Sequence, residues 1–185
     1  MKIADNVWTR LASLLKARLL AKYDPGILSP DASGLESKLE IQHQGCYISV
    51  YDSKNDKMAR ACFLTQGCQN ILESTMQVLN ALHTELEAKG VSHKKLSSSS
   101  YNFAVVWDLF FIENSLAWDA NTDGIYLNWG DKYKGLYLPY EIRKMSTTKA
   151  EVLNRLCSWE LGIPSNLWRL PESMCWKILA DSYSI

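Results

Sequence analysis

The sequence predicts an α+β fold: a largely antiparallel sheet flanked by helices. Three observations carry this reading. Strand-like and helix-like runs follow one another without the strict alternation of βαβ units, no internal repeat is detectable, and 47% hydrophobic with 22% charged residues is an ordinary globular composition. At 185 residues the chain suits one domain, or one domain with a small lobe, able to bury roughly 70% of its unfolded surface.

The elements follow in order. Val7, Trp8, Leu11, Leu14, Leu15, Arg18 and Leu19 recur at helical spacing after Asp5, which reads as an N-cap, so a first helix covers 6–22 with one buried stripe. "DPGILSPDASGLES", rich in Pro, Gly, Ser and Asp, is a loop and carries no site. "GCYISVY" and "KMARACFL" flank the polar "DSKND" and form a β-hairpin, with Cys62 in mid-strand. From Asn70 to about Lys89 the spacing of Ile71, Thr75, Val78, Leu79, Leu82 and Leu86 predicts a second helix closed by Gly90. "VSHKKLSSSS" reads as a polar loop, and "YNFAVVWDLFFI", apolar on both alternating faces, as a central strand covered on both sides with Asp108 as the exception. "DGIYLNWG", "DKYK" and "GLYLPY" read as strand, turn and strand, with Gly130 and Gly135 allowing the tight loop. Thr148 and Glu151 have capping-box spacing for a third helix that ends at Gly162-Ile-Pro164, and "MCWKILADSY" is the closing strand.

Composition excludes several classes of function. Lys plus Arg equals Asp plus Glu at 20 each, so no global field favours nucleic acid or an anionic membrane. No apolar run approaches the ~20 residues that span a bilayer, and charged residues interrupt the N-terminal stretch, which reads as neither anchor nor signal peptide. Five dispersed cysteines, an odd count, fit a reduced cytoplasmic setting. Cys46, Cys62, Cys68, Cys157 and Cys175 include no C-x-x-C pair and His43, His83 and His93 lack zinc-site spacing, so neither a metal nor another cofactor is expected. No serine or cysteine has a sequence-evident histidine and acid partner, which leaves a hydrolytic triad unsupported.

The C-terminal half resembles the AMMECR family, named for a chromosomal deletion region. That family's "DG-apolar" strand, "GLLLP", "LC", "AGLP" and Trp fall on Asp123-Gly124-Ile125, Gly135-Leu136-Tyr137-Leu138-Pro139, Leu156-Cys157, Leu161-Gly162-Ile163-Pro164 and Trp168. The interval from Cys157 to Gly162 is one residue longer than the family's usual spacing. In the N-terminal half "GVFVTL" matches Gly45 to Val50, and "LRGCIG" falls on Ala59 to Leu64, where Arg60 and Cys62 are retained and both glycines are replaced, by Ala61 and Leu64. The likeness is strongest over 45–185, with 1–44 an N-terminal helix and loop, and it implies a single divergent AMMECR-like domain with a main lobe and a small lobe. It further implies an accessory or interaction protein, associated in prokaryotes with Memo-like and radical-SAM proteins.

The candidate chemistry is local. Arg60 and Cys62, two apart on a strand, share a face, so the guanidinium can favour a thiolate; the alternative is a buried thiol beside a salt-bridged arginine. Asp108 is either an acid or base with a raised pKa or the partner of Arg60 or Arg143. Together Arg60, Cys62 and Asp108 define the alternative reading, a small enzyme for an anionic or nucleotide-like substrate. Lys132, Lys134, Trp129 and Tyr133 at the hairpin tip are candidate binding residues, and with Lys94 and Lys95 the basis of a third reading, weak nucleic-acid binding. Most of the other tryptophans, Trp107, Trp118, Trp159, Trp168 and Trp176, read as core. Cys68, just ahead of the second helix, is expected to be the more reactive cysteine and Cys62 the core one.

Overall fold

The computed structural model describes residues 3–24, 26–28, 32–54 and 56–184. Parts of two expected loops therefore lie outside the described residues: Pro25 and Ser29 to Asp31 in the first, Asn55 in the hairpin loop. The fold is α+β, with an antiparallel six-stranded sheet of order β2-β1-β3-β6-β4-β5 flanked by helices; the strands are β1 His43–Tyr51, β2 Lys57–Cys68, β3 Ser100–Ile112, β4 Gly124–Trp129, β5 Tyr133–Tyr137 and β6 Ser173–Ser184. The chain divides into two compact units, Met1–Val106 with Asp181–Ile185, and Trp107–Ala180.

In the first unit, α1 (Asp5–Ala21) and α2 (Ile71–Ala88) pack on one face of the sheet. Trp8 of α1 meets Phe103 of β3 edge-on at 5.3 Å and stacks on Tyr183 at 6.2 Å. Its removal to alanine falls in the range of ~3–5 kcal/mol for a buried aromatic. Cys46 of β1 lies against α2, 3.9 Å from the Ile71 carbonyl and 3.5 Å from the Thr75 hydroxyl. α2 starts at Asn70, whose side chain accepts from the Glu73 N–H, and Lys22 of the chain after α1 bonds Asn80 at 2.7 Å. α1 begins at Ala4 rather than with an Asp5 cap: Asp5 stands in the first turn, where its charge favours the helix N-terminus without a capping bond. The expected polar loop contains a short helix, α3 (His93–Ser97), capped by Ser92. One turn is too short to leave a periodic signature.

The second unit closes around Ile125, Leu127, Tyr137, Val152, Leu156, Cys157 and Cys175. Strand β5 stops at Tyr137, earlier than the apolar run suggests, because Pro139 opens α4 (Pro139–Met145) and Glu141 reaches back to the Leu138 N–H at 3.0 Å. α5 (Lys149–Arg155) is capped by Thr148 as its spacing predicts. It then widens into a π-helical turn over Leu156–Glu160, with the Leu161 N–H bonded to the Leu156 carbonyl, five residues back. Gly135 is not in the hairpin loop: it sits within β5, where a Cβ would lie 2.6 Å from Leu161 Cδ2. The missing side chain makes room for the end of that helix.

Strand β3 corrects a further expectation. It is buried from Tyr101 to Val106, half-buried from Trp107 to Leu109, and then open, with Phe110 41% and Phe111 57% exposed. Only its first half is a strand covered on both faces. Likewise Trp159 is 70% exposed, its ring under the Arg155 guanidinium at 4.9 Å, because the wide turn carries it outward.

Candidate functional site

The β1–β2 hairpin and the start of α2 place the most chemically distinctive groups. Cross-strand partners share a face, so Ala59, Ala61 and Phe63 of β2 follow Val50, Ile48 and Cys46 toward α2, whereas Arg60 and Cys62, opposite Ser49 and Tyr47, point away from it. β2 is an edge strand, and its outer backbone is partly occupied: Glu85 of α2 accepts from the Arg60 N–H at 3.1 Å, and Lys89 donates to the Met58 carbonyl at 2.8 Å. Cys62 is exposed and Arg60 half-buried. The expectation of a core Cys62 is thereby corrected. At the edge of the sheet, with no further strand beside it among the described residues, β2 leaves open the very residue that the apolar flanks suggested was packed. Although exposed, its sulfur has the body of the protein behind it; this desolvation pushes the thiol up, and the Arg60 charge pulls it down by less.

Asp108 makes no ion pair among the described residues. Its carboxylate accepts from the N–H of Leu109, its own neighbour, at 2.8 Å, while Arg143 donates to the Asn121 carbonyl at 2.9 Å. The expected pairing with Arg60 or Arg143 is overturned by the opening of β3 to solvent, which removes the need for a buried countercharge. Asp108 belongs to the second unit and Arg60 and Cys62 to the first.

The hairpin set does gather on one turn. Trp129 and Tyr133 are cross-strand partners with rings 5.5 Å apart, Lys132 lies 5.3 Å over the Tyr133 ring, and Lys134 is exposed opposite Asn128. The two rings are half-buried and packed on the core of the second unit, more anchor than open platform. Lys94 and Lys95 lie on α3, in the first unit.

What the sequence did not reveal is a pair on the α2 side of the hairpin. His43 is fully buried at the start of β1; its Nδ1 is 2.9 Å from the Ile41 carbonyl and its Nε2 3.0 Å from the Ser74 hydroxyl. A carbonyl only accepts, so Nδ1 carries the proton and Nε2 accepts from Ser74. Burial lowers the His43 pKa, against smaller opposing effects of the Ile41 and Cys68 carbonyls, and this favours the neutral ring. The orientation comes from a β-bulge. His43 pairs with Cys68 and Gly45 with Leu64, so two steps along β1 span four along β2. Gly45, with φ of 150°, permits that close passage: a Cβ there would stand 2.0 Å from the Phe63 carbonyl oxygen. Beside the pair a hollow of about 230 Å³ is lined by residues including Phe63, Thr65, Cys68, Glu73 and Ser74, and a second of about 450 Å³ by Glu40, Gln42, Gln69 and Asn70. The sequence signal for this pair is Ser74, which with Thr75 is a polar residue on the buried side of a helix whose other buried positions are apolar. Its partner is 31 residues away, beyond any motif.

No protein-family profile and no curated protein matches the chain. Among solved structures, the uncharacterized protein PH0010 from Pyrococcus horikoshii superposes with a TM-score of 0.77 at 17% identity, covering 100% of this chain and 94% of that one. At that identity the likeness shows a shared fold. No helix among the described residues is long and apolar enough to cross a membrane.

Proposed function

We propose that this chain is a divergent AMMECR-type protein that works as a cytosolic accessory protein, docking a partner of the Memo-like or radical-SAM class. The order of matched motifs from Gly45 to Trp168 supports the family reading, and the α+β fold is compatible with it. One observation carries the docking role: the stretch Ala59 to Leu64 lies on an edge strand with Cys62 exposed and Arg60 half-buried on the face turned from α2. Side chains presented that way suit contact with another surface, where arginine contributes strongly to affinity. Five free cysteines, three of them buried, agree with a reducing compartment. The enzyme reading built on Arg60, Cys62 and Asp108 has less support, since the Asp108 carboxylate is engaged by the neighbouring backbone N–H and has no charged partner among the described residues.

The test is direct titration of the full chain with a purified Memo-like protein and, separately, a radical-SAM protein, followed by calorimetry and size-exclusion chromatography. A complex with Kd of about 10 μM or tighter is expected. Arg60→Glu should weaken it at least tenfold, and Glu172→Lys, at an exposed position of the second unit, should leave it unchanged. Absence of binding to either class at ~100 μM, or binding insensitive to Arg60→Glu, refutes the reading.

A further inference from the structure

We propose that Ser74 is a nucleophile and His43 its general base, in a pocket that accepts a small uncharged ester. Three independent features of the first unit converge there. The Ser74 hydroxyl donates to His43 Nε2 at 3.0 Å, while the Ile41 carbonyl, 2.9 Å from Nδ1, holds the ring in the tautomer that leaves Nε2 free to accept. This is the nucleophile, base and orienting-acceptor sequence of a hydrolytic triad, with a backbone carbonyl in the third position. Next, Ser74 forms part of the wall of the hollow of about 230 Å³, room for a short acyl group. Finally, the bulge that sets two steps of β1 against four of β2 lies beside the start of α2, where His43 meets Ser74; bulges are enriched beside active sites because they re-aim a side chain.

The surroundings define the substrate. Among the described residues, Phe63 is the one large apolar group in a lining that is otherwise mostly polar and uncharged, and the Glu73 carboxylate in that lining disfavours anionic acids and phosphates. Ser74 stands in the first turn of an eighteen-residue helix, whose dipole favours negative charge there, although the N–H groups of Ile71, Glu73 and Ser74 are already bonded to Leu39 and Asn70. In the reaction Ser74 Oγ bonds to the ester carbonyl carbon as its proton passes to His43 Nε2. The bond to the alcohol oxygen then breaks, and that oxygen takes the proton from His43. Water, deprotonated by the same nitrogen, releases the acyl group as a carboxylic acid and restores the serine. The sum is ester plus water to acid plus alcohol, with no cofactor. This inference does not rest on the family reading, and the two can fail separately.

The experiment exposes the full chain to an alkyl fluorophosphonate, which forms a serine–phosphorus bond with loss of fluoride, and locates adducts by peptide mass spectrometry. One adduct, on the Ser74 peptide, is expected. It should be absent in Ser74→Ala and slowed by ~100-fold or more in His43→Gln. Native protein should label and urea-unfolded protein should not, a comparison that decides the matter even where the His43 variant fails to fold. Hydrolysis of p-nitrophenyl acetate should fall with the same variants. No Ser74 adduct on the native chain, equal labelling of native and unfolded chains, or labelling of a folded His43→Gln at the original rate overturns the proposal.

Discussion

Replacing Gly45 by alanine tests whether the bulge is as tightly built as it is drawn. The added Cβ would sit 2.0 Å from the Phe63 carbonyl oxygen, 2.9 Å from its carbon and 3.0 Å from Leu64 Cα, all backbone atoms of β2. The first contact is more than ~1 Å short of ordinary van der Waals separation. A flexible side chain can swing aside, but a strand paired on its inner edge cannot. Overpacking of this kind costs about 1–3 kcal/mol, sometimes more. The backbone adds its own term, since a φ of 150° is outside the usual range of residues with a side chain and costs about 1–3 kcal/mol. Together they predict a loss of roughly 2–6 kcal/mol, a large fraction of the ~5–15 kcal/mol of a typical domain. Gly67→Ala is the internal control: its φ of 75° is also positive, yet nothing lies within 4 Å of its virtual Cβ, so only ~1–2 kcal/mol of strain is expected. Urea unfolding followed by far-UV circular dichroism measures both. A Gly45→Ala loss under ~0.5 kcal/mol, or one no larger than that of Gly67→Ala, would show that β2 yields and that the bulge does not hold His43 rigidly.

Other expectations can be checked in the same way. Asp108→Ala should change stability by less than ~0.5 kcal/mol, because a half-buried carboxylate bonded to its own backbone has no ion pair to lose; a loss of several kcal/mol in urea would reveal a hidden cation. Iodoacetamide should modify exposed Cys62 first, increasingly as pH rises because its thiol is pushed up, and Cys68 more slowly. Cys46 and Cys175, buried and pushed up to about 12, should react only on unfolding; labelling of either in the native state would refute the packing. His43 has a folded pKa below its unfolded value, so its contribution to stability is full above about pH 6.5 and declines as pH falls from there toward the lowered value, at no more than about 1.4 kcal/mol per pH unit. Urea midpoints across that window should vary less in His43→Gln than in wild type, and an identical pH dependence would argue against a neutral buried ring.

Much of the fold was legible because it is written in local pattern. The stripe from Ile71 to Leu86, the Thr148 cap and the hairpin of "GCYISVY" and "KMARACFL" each lie within one window of sequence, and each forms as read. Failures arise where burial depends on what lies opposite. "YNFAVVWDLFFI" is apolar throughout, yet cover ends after Val106, and no local pattern records where a strand leaves the core. Cys62 has the apolar neighbours of a core residue but stands on an edge. The helix of Pro139–Met145 was hidden because its proline and short length mimic the end of a strand. As for the site, Arg60 and Cys62 were visible as a pair on one face. His43 and Ser74 were not, because only the bulge brings a histidine and a serine 31 residues apart into contact.

The wide turn over Leu156–Glu160 holds one residue more than a regular helical turn does, and this has a consequence for what the helix end can touch. One residue added to a regular α-helix rotates everything after it by ~100°, since each turn holds 3.6 residues. Here that would carry Leu161 off Gly135, the contact that the glycine's missing side chain exists to admit. The i→i+5 bond from Leu161 to Leu156 takes up the extra residue within a single turn, so that Leu161 still meets Gly135. The extra residue is thus stored as a change of pitch at the end of a half-buried helix, and Trp159 stands on the surface within that turn.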